Sequence, residues 1–531
     1  MFATEKILPL GQSDFQALRE SNAVYVDKSD LIYEIARMPG SVFLARPRRF
    51  GKSLLVSAFE SLFKYGVRDF KGLAIENLWT DKTYNVIRLD FSNIKDFSGI
   101  DDFAEQFRYT VCSKFSELGF HPNDTSNCFT DLGNWIGKLP KLSLVLLIDE
   151  YDAPLTACMD NPELFVKVRA EMRKLFSPLK TNVGSLRFLF LTGITKFSST
   201  SIFSELNNLD DITLSPKFGT LLGYTEEEIR TQFAPYLSRA AKATGMTEDA
   251  LMDNLRTYYN GFCFDMHAST RVYCPWSVLK FLKAPEQGFI NYWFSSGGHP
   301  TVLMKYLNGH ELEQPTSYAE TKQVRLQDLN DPKDLPSIKC DILLAQTGYL
   351  TIKSVDGLGL VTLGFPNREV AVSMARLYAD ELLAGRVYRP ADGVMLETLL
   401  AKDDLSAIVE RFNEVLNALD YNRYPIVDEA TCRAYLQVLL IGADMVPRVE
   451  VHTSQGRSDL EVDAGSRHWV FELKFAATKA QASQLLAEAV TQMHSRRYGR
   501  TPHGRKLMRA AMVFSAEDRR FVVWQEVGND R

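Results

Sequence analysis

The stretch Gly456-Arg457-Ser458-Asp459-Leu460-Glu461-Val462-Asp463-Ala464-Gly465-Ser466-Arg467-His468-Trp469-Val470-Phe471-Glu472-Leu473-Lys474-Phe475 alternates apolar and polar residues on either side of Gly465-Ser466. A period of 2 is the pattern of a strand, and two such runs joined by a short Gly-containing turn read as a β-hairpin. Gly465-Ser466 suits a two-residue type II′ loop with glycine at its first central position. That loop pairs Ala464 with Arg467, Asp463 with His468 and hence Asp459 with Glu472. Leu460, Val462, Trp469, Phe471, Leu473 and Phe475 then share one face, expected to be the core, and Asp459, Glu461, Glu472 and Lys474 share the other. A slip of one residue would move every side chain to the wrong face. Two carboxylates directly opposite each other repel unless a divalent cation lies between them, and oxygen ligands favour hard Mg²⁺ or Mn²⁺. Asp459 and Glu472 are therefore candidate metal ligands. Lys474, two residues on, is placed to hold an attacking water or a phosphate.

This arrangement resembles the core of the PD-(D/E)xK nuclease superfamily, with Asp459 as its first acidic residue and Glu472-Leu473-Lys474 as the (D/E)xK element. Ser458 stands where the proline of the pattern would be. The resemblance adds Glu429, at the start of a helix-like stretch Glu429 to Tyr435, as a further acidic candidate. It also adds Gln492, with Tyr498, on a downstream helix. The implied catalytic set is Asp459, Glu472, Lys474, Glu429 and Gln492.

A second constellation lies at Ser41-Val42-Phe43-Leu44-Ala45-Arg46-Pro47-Arg48-Arg49-Phe50-Gly51-Lys52-Ser53-Leu54-Leu55. An apolar strand runs through a loop ending in Gly-Lys-Ser into an amphipathic helix, the context of a phosphate-binding P-loop. Backbone N–H groups of Gly51 and the helix start would hold phosphate, Lys52 would reach the β- and γ-phosphates, and Ser53 would ligate Mg²⁺. Arg46 replaces the usual first glycine, so the turn must be built differently; Arg46 and Arg49 count among the candidate cofactor-binding residues. The run Leu144-Val145-Leu146-Leu147-Ile148-Asp149-Glu150-Tyr151-Asp152 reads as a buried parallel strand that delivers Asp149 to the Mg²⁺ shell and Glu150 to a hydrolytic water. A third strand, Arg187 to Lys196, ends in Thr192 and Thr195, candidates for sensing a γ-phosphate. The opening segment, Pro9 to Phe15 and Tyr25 to Ser29, is placed to enclose a nucleotide base.

Together with Tyr258-Tyr259-Asn260-Gly261-Phe262 and Tyr273-Cys274-Pro275-Trp276-Ser277, these motifs resemble the AAA-ATPase-like family fused to a PD-(D/E)xK nuclease domain. The resemblance implies an α/β architecture: a P-loop ATPase parallel-sheet core (1–222), a helical lid (223–310), a small mixed α/β module of winged type (311–389) and an α/β restriction-endonuclease-like domain (390–531). It implies an ATP-regulated, metal-dependent nuclease with ATP and Mg²⁺ (or Mn²⁺) as cofactors, nucleic acid as partner with DNA ahead of RNA, and bacterial defence or mobile-element control as the setting. A nucleotide-sensing or nucleic-acid-binding scaffold with a degenerate P-loop or a silent nuclease site stays open beside it, as does homo-oligomerisation, for which Arg187 is the arginine to test as a finger.

Composition sets the outer bounds. The chain has 531 residues and a net charge of −5, large enough for several cores and too mildly charged to signal nucleic-acid binding by itself. The stretch from Ser495 to Arg509 is locally basic, with Arg496, Arg497, Arg500, Arg505, Lys506 and Arg509. No run of about 18 apolar residues occurs, and Met1-Phe2-Ala3-Thr4-Glu5-Lys6 lacks a basic leader, so no membrane partner and a cytoplasmic location are expected. Seven scattered cysteines without a CxxC pair argue against a disulfide scaffold or structural zinc. The eight histidines, His299, His452 and His468 among them, show no ligand spacing and read as packing or surface residues.

Overall fold

The structure, a computed structural model, describes residues 6–38, 40–124, 127–196, 209–293, 302–303, 321–332, 338–382, 390–402, 404–419, 421–422, 424–443, 445–453, 456–496 and 505–528. Phe294, His299, Arg497, Tyr498 and Arg500 lie outside them. The chain divides into two compact units, Met1–His310 with Thr321–Glu369 and Glu311–Glu320 with Val370–Arg531.

The first unit is built on strands β1 (Ser41–Ala45), β2 (Asn85–Asp90), β3 (Leu144–Asp149), β4 (Leu186–Gly193) and β5 (Leu209–Asp211). They form a wholly parallel sheet in the order β2-β3-β4-β1-β5. Every residue of β1 and β3 is buried, which is why these runs are continuously apolar rather than alternating. Helix α1 (Lys52–Tyr65) follows β1 and buries Leu55, Val56, Phe59, Leu62 and Phe63 at helical spacing. Phe59 packs against Phe188 and Phe190 of β4. Because β1 and β3 both run parallel to β4 between them, the loop leaving β1 and the carboxylates ending β3 open on the same edge of the sheet.

Helices α2 (Glu226–Gln232), α3 (Ala234–Thr244), α4 (Glu248–Tyr259) and α5 (Pro275–Lys283) follow the sheet in the chain. Thr225 caps the first of them in a reciprocal capping box with Glu228, as the Thr-Glu-Glu-Glu start predicts. Their core joins Phe233, Leu251, Tyr259 and Phe281 to Val24 and Val26. Tyr259 and Phe262 are packing residues, and Phe262 stands edge-on to Phe50 of the phosphate loop, 4.9 Å between centroids. Gly261 between them has φ +100°, and a Cβ there would lie 2.1 Å from the Pro366 carbonyl oxygen, so no other residue fits. Strands β6 (Lys322–Arg325), β7 (Thr351–Val355) and β8 (Leu360–Gly364) make a small antiparallel sheet in the order β6-β8-β7.

The division at Val370 falls inside helix α6 (Arg368–Leu382), ahead of the Arg389-Pro390 stretch read as a break in the sequence. A boundary within a helix carries no Gly or Pro punctuation to mark it.

The second unit contains helices α7 (Pro390–Ala401), α8 (Leu405–Asn417), α9 (Glu429–Gly442) and α10 (Ala482–Ser495), with strands β9 (Arg448–Thr453), β10 (Gly456–Ala464), β11 (Arg467–Ala476), β12 (Lys506–Ser515) and β13 (Arg520–Glu526). Their order is β13-β12-β11-β10-β9, with β11 and β12 parallel and the other pairs antiparallel. The hairpin register runs from Ala464 opposite Arg467 to Leu460 opposite Phe471, as the turn spacing predicts. Gly465 has φ +54°, the left-handed conformation that a type II′ turn places at its first central residue.

One face of the hairpin packs as expected. Trp469 donates its indole N–H to the Leu400 carbonyl at 2.7 Å, and Phe471 meets Phe412 of α8. The polar face is not a solvated surface, however. Val470 and Ala511 pack on Ala489 and Met493 of α10, because β11 is the middle strand of the sheet and α10 returns across its second face.

Candidate nucleotide and nuclease sites

The phosphate loop begins where β1 ends. Arg49 and Gly51 both take left-handed backbone conformations, φ +72° and +93°. Alternating hands of this kind turn successive N–H groups toward one anion, and the N-terminus of α1 adds its dipole. Gly51, Lys52, Ser53, Arg48, Arg49 and Glu150 line a pocket of about 440 Å³ that continues past Gln12, Tyr25, Val26, Lys28, Tyr224 and Trp276. The opening segment therefore does border the space beside the loop. Three buried polar atoms on this wall have no hydrogen-bond partner: Gln12 Oε1, Trp276 Nε1 and Arg49 Nη2. An acceptor and two donors left unsatisfied in one pocket fit a polar ligand such as a nucleotide.

Lys52 is buried, and its ammonium donates to the carbonyls of Arg46 and Pro47 at 2.9 and 3.1 Å. Burial pulls its pKa down, against the opposing pull of Glu150, Asp152 and Asp149. Burial pushes Asp149 and Glu150 up, offset by a hydrogen bond from the Ser53 hydroxyl to Asp149 and by Lys52 beside both. Ser53 and Asp149 are thus joined as a pair that could hold Mg²⁺. Glu150 follows with φ +48°, a strained backbone for a non-glycine residue that lifts its carboxylate to the pocket rim.

Three sequence candidates sit elsewhere than expected. The guanidinium of Arg46 is turned inward, donating to the carbonyls of Ala45, Thr213 and Phe218 and lying 4.4 Å over the Phe264 ring. It supports the loop from beneath instead of lining the pocket. Thr192 donates its hydroxyl to the Leu44 carbonyl inside the sheet. Thr195 donates both its N–H and its hydroxyl to Asp152, each at 2.7 Å. Arg49 remains at the pocket, donating to the Tyr292 carbonyl and lying over Trp276. Arg187 is paired with Asp81 and the Ala36 carbonyl at the start of β4, the sheet end opposite the phosphate loop.

In the second unit, the hairpin register brings Asp459 beside Glu472. Both are buried, at 7% and 0% exposure. Asp459 Oδ2 accepts the Leu473 N–H at 2.8 Å, which anchors one oxygen across the strands. Glu472 Oε1 accepts from the Lys474 ammonium at 3.0 Å, while Oε2 is buried without a hydrogen-bond partner. Burial, and then the neighbouring Asp459 charge, push Glu472 up to about 7. Lys474 Nζ lies 3.5 Å from Glu429 Oε2, and Arg433 Nη1 lies 3.8 Å from Asp459 Oδ1. Helix α9, started by an Asp428 cap on Thr431, thus brings Glu429 to Lys474. Arg433 was not singled out in the sequence, although its spacing of four from Glu429 puts the two on one helix face.

An orphaned carboxylate oxygen facing a second carboxylate is a site that favours a hard cation. Among the described residues no group of three His, Cys, Asp or Glu side chains forms a metal cage. Mg²⁺ is commonly held by one or two carboxylates and keeps several waters, so the Asp459–Glu472 pair could hold it.

Two regional matches and one long one accompany this geometry. Residues 9–203 match a family model described as a predicted AAA-ATPase, and residues 434–524 match one of the PD-(D/E)XK nuclease superfamily. The chain is 30% identical over 490 residues, 89% of its length and 90% of the other, to a protein of Azotobacter chroococcum mcd 1 called "Uncharacterized protein in vnfD 5'region". The chain belongs to the AAA-ATPase-like family fused to a PD-(D/E)XK nuclease domain.

The remaining expectations for the fusion's nuclease domain divide. Gln492 lies near the C-terminal end of α10, next to Met493, which packs with Val470. Helix α10 runs back along β11, with Ala482 against Ala476 and Met493 against Val470. The basic stretch is partly internal: Arg509 is buried and donates to the carbonyls of Met493 and Gly528, and Arg505 pairs with Asp463 at 2.5 Å. His468 is a packing residue, as read, set between two carboxylates. Its ring nitrogens face Glu461 at 3.4 Å and Asp463 at 2.6 Å, and these carboxylates raise its pKa against the effect of burial. No described helix is long and apolar enough to cross a membrane.

Proposed function

We propose that this chain is an ATP-regulated, metal-dependent nuclease that hydrolyses phosphodiester bonds, of DNA ahead of RNA, in bacterial defence or mobile-element control. The observation that carries the proposal is the buried Asp459–Glu472 pair, with Glu472 Oε2 unsatisfied and Lys474 3.0 Å from the other oxygen. A bound Mg²⁺ or Mn²⁺ would supply charge stabilisation and a more acidic water. Asp459 and Glu472 would hold it, Glu429 would stay on Lys474, and the Lys474 ammonium would orient the attacking water or take up charge on the phosphate. In the other unit, Gly51, Lys52 and Ser53 would bind the ATP phosphates, Asp149 would complete the Mg²⁺ shell with Ser53, and Glu150 would orient water. Nucleotide binding would switch conformation or assembly, including homo-oligomer formation, and not take part in strand cleavage.

A specific observation favours a second reading, a nucleotide-sensing module without turnover. Lys52 is tied to the carbonyls of its own loop, and Arg46, in place of a glycine, locks that loop from below. The test incubates the full chain with linear and circular duplex DNA, and with RNA, in Mg²⁺ with and without ATP, beside Lys474→Ala and Lys52→Ala. Cleavage lost in Lys474→Ala and altered in Lys52→Ala is expected. Cleavage of no substrate, or equal cleavage by Lys474→Ala, sinks the nuclease proposal. Unchanged nuclease control without ATP turnover supports the sensing reading.

A further inference from the structure

Two aromatic motifs, Tyr258-Tyr259-Asn260-Gly261-Phe262 and Tyr273-Cys274-Pro275-Trp276-Ser277, close around one short segment, Pro366-Asn367-Arg368-Glu369, which leaves β8 and starts helix α6. Gly261 makes room for the Pro366 carbonyl. Asn367 donates its side-chain amide to the Asn260 carbonyl at 2.8 Å, and the Arg368 guanidinium lies 4.8 Å over the Tyr258 ring. Glu369, buried at 1% exposure, accepts the Ser277 hydroxyl at 2.9 and 3.0 Å and the Tyr292 N–H at 2.7 Å. This clasp therefore ends on the last residue of the first unit, and α6 continues from it into the second.

The nucleotide pocket reaches Glu369 by two short paths. Arg49 Nη1 donates to the carbonyl of Tyr292, whose N–H Glu369 accepts. Trp276, which faces the Arg49 guanidinium, is followed in the first turn of α5 by Ser277, whose hydroxyl Glu369 holds. The charges also act on each other: burial raises Glu369 to about 7, and the donors Ser277, Tyr292 and Trp293, together with the Arg49 charge, pull it back. On the pocket wall, Arg49 Nη2 and Trp276 Nε1 are buried donors without hydrogen-bond partners. A polar ligand that satisfies them acts on the first member of both paths, which is the differential contact a conformational shift requires.

We propose that Glu369 is the positioning residue through which a nucleotide at the phosphate loop controls helix α6, with the two aromatic motifs as the socket that holds the start of that helix. The inference rests on the nucleotide-binding reading and adds to it the route of regulation. Helix α6 has 15 residues, a continuous hydrogen-bonded rod of about 22 Å. What is fixed at its second residue, Glu369, is passed along it beyond the division of the chain at Val370.

The test is amide hydrogen exchange, read by mass spectrometry on the full chain with and without ATP and Mg²⁺, for the parent, Glu369→Gln and Asn367→Ala. Glu369→Gln keeps the size of the side chain and removes its charge, whereas Asn367→Ala loosens the same socket without cutting either path. ATP is expected to slow exchange at the phosphate loop in all three proteins. It should also slow residues 370–382 by about fivefold or more, the low end of ordinary coupling between sites, in the parent and Asn367→Ala but not in Glu369→Gln. Ser277→Ala, which removes one donor to Glu369, should lose part of that slowing, and it decides the matter if Glu369→Gln does not fold. Undiminished slowing of 370–382 in Glu369→Gln, or in Ser277→Ala where it stands in, overturns the inference. Equal loss in Asn367→Ala overturns it too, because Glu369 is then one structural contact among several. So does a Glu369→Gln protein whose phosphate loop is no longer protected, since the residue then serves binding. A parent protected at the phosphate loop but not at 370–382 leaves nucleotide binding standing and removes this inference alone. A parent protected at neither sinks the nucleotide reading, and this inference with it.

Discussion

Glu472 and Lys474 form an ion pair of 3.0 Å that leaves one Glu472 oxygen, Oε2, buried and without a donor. The lysine satisfies half of the carboxylate, and the other half carries an uncompensated desolvation cost.

That cost sets a pH dependence. Burial, and then Asp459, raise Glu472 from 4.5 to about 7, so between those values the folded protein holds a proton that the unfolded chain has lost. Stability from this group is therefore greatest below 4.5 and falls as pH rises to about 7. A Glu472→Gln variant without metal should be more stable than the parent at about pH 8, by on the order of 2 to 3 kcal/mol, and equal to it near pH 4. Mg²⁺ should close the gap by stabilising the parent alone. Thermal melts across this range test it, and parallel curves for the two proteins would refute it.

His468 has the same sign for the opposite reason. Burial would lower its pKa, but Glu461 and Asp463 hold the imidazolium and raise it above the ordinary value. Its stabilisation is complete below about pH 6.5 and is lost as pH rises through the folded pKa. His468→Gln should cost roughly 2 to 4 kcal/mol at about pH 6, the loss of one member of a buried charged pair, and distinctly less at about pH 9. A cost independent of pH would show that the imidazole packs as a neutral ring.

Arg46 occupies the position of a glycine in most phosphate loops. Arg46→Gly would restore that glycine and remove the donors to Ala45, Thr213 and Phe218. The expected outcome is a loss of roughly 3 kcal/mol or more from unsatisfied buried carbonyls and lost packing, with weaker nucleotide binding. A variant that binds ATP more tightly at unchanged Tm would contradict the structural role.

Thr195 tests the sensor expectation. Its hydroxyl is committed to Asp152 at 2.7 Å within a buried network that includes the Ile194 and Thr195 N–H groups. Thr195→Val should lower stability by about 1 to 2 kcal/mol and leave nucleotide affinity and turnover near those of the parent. A large fall in ATP hydrolysis at preserved Tm would return Thr195 to the list of sensors.

Strand periodicity and turn chemistry are local, and these were legible in the chain itself. Gly465-Ser466 allows one hairpin register, so Asp459 and Glu472 could be paired without knowing what surrounds them. The apolar runs of β1, β3 and β4 likewise announce a parallel sheet, because only strands covered on both faces can be apolar throughout. The phosphate loop follows from Gly51-Lys52-Ser53 at a strand-to-helix junction.

Tertiary structure decided where long side chains point and which helix covers which face. Arg46 could have faced phosphate or core, and Thr213 and Phe218, both distant in sequence, supply the carbonyls that turn it inward. Thr195 could have reached a ligand, but Asp152 of another segment takes its hydroxyl. Gln492 lies on the expected helix, and how α10 packs along β11 sets its place. Arg433 joins the site only because α9 packs over β10, bringing its guanidinium to Asp459. Backbone geometry limits register to a few discrete choices that neighbouring residues settle, whereas the direction of a flexible side chain is settled by partners that only folding brings near.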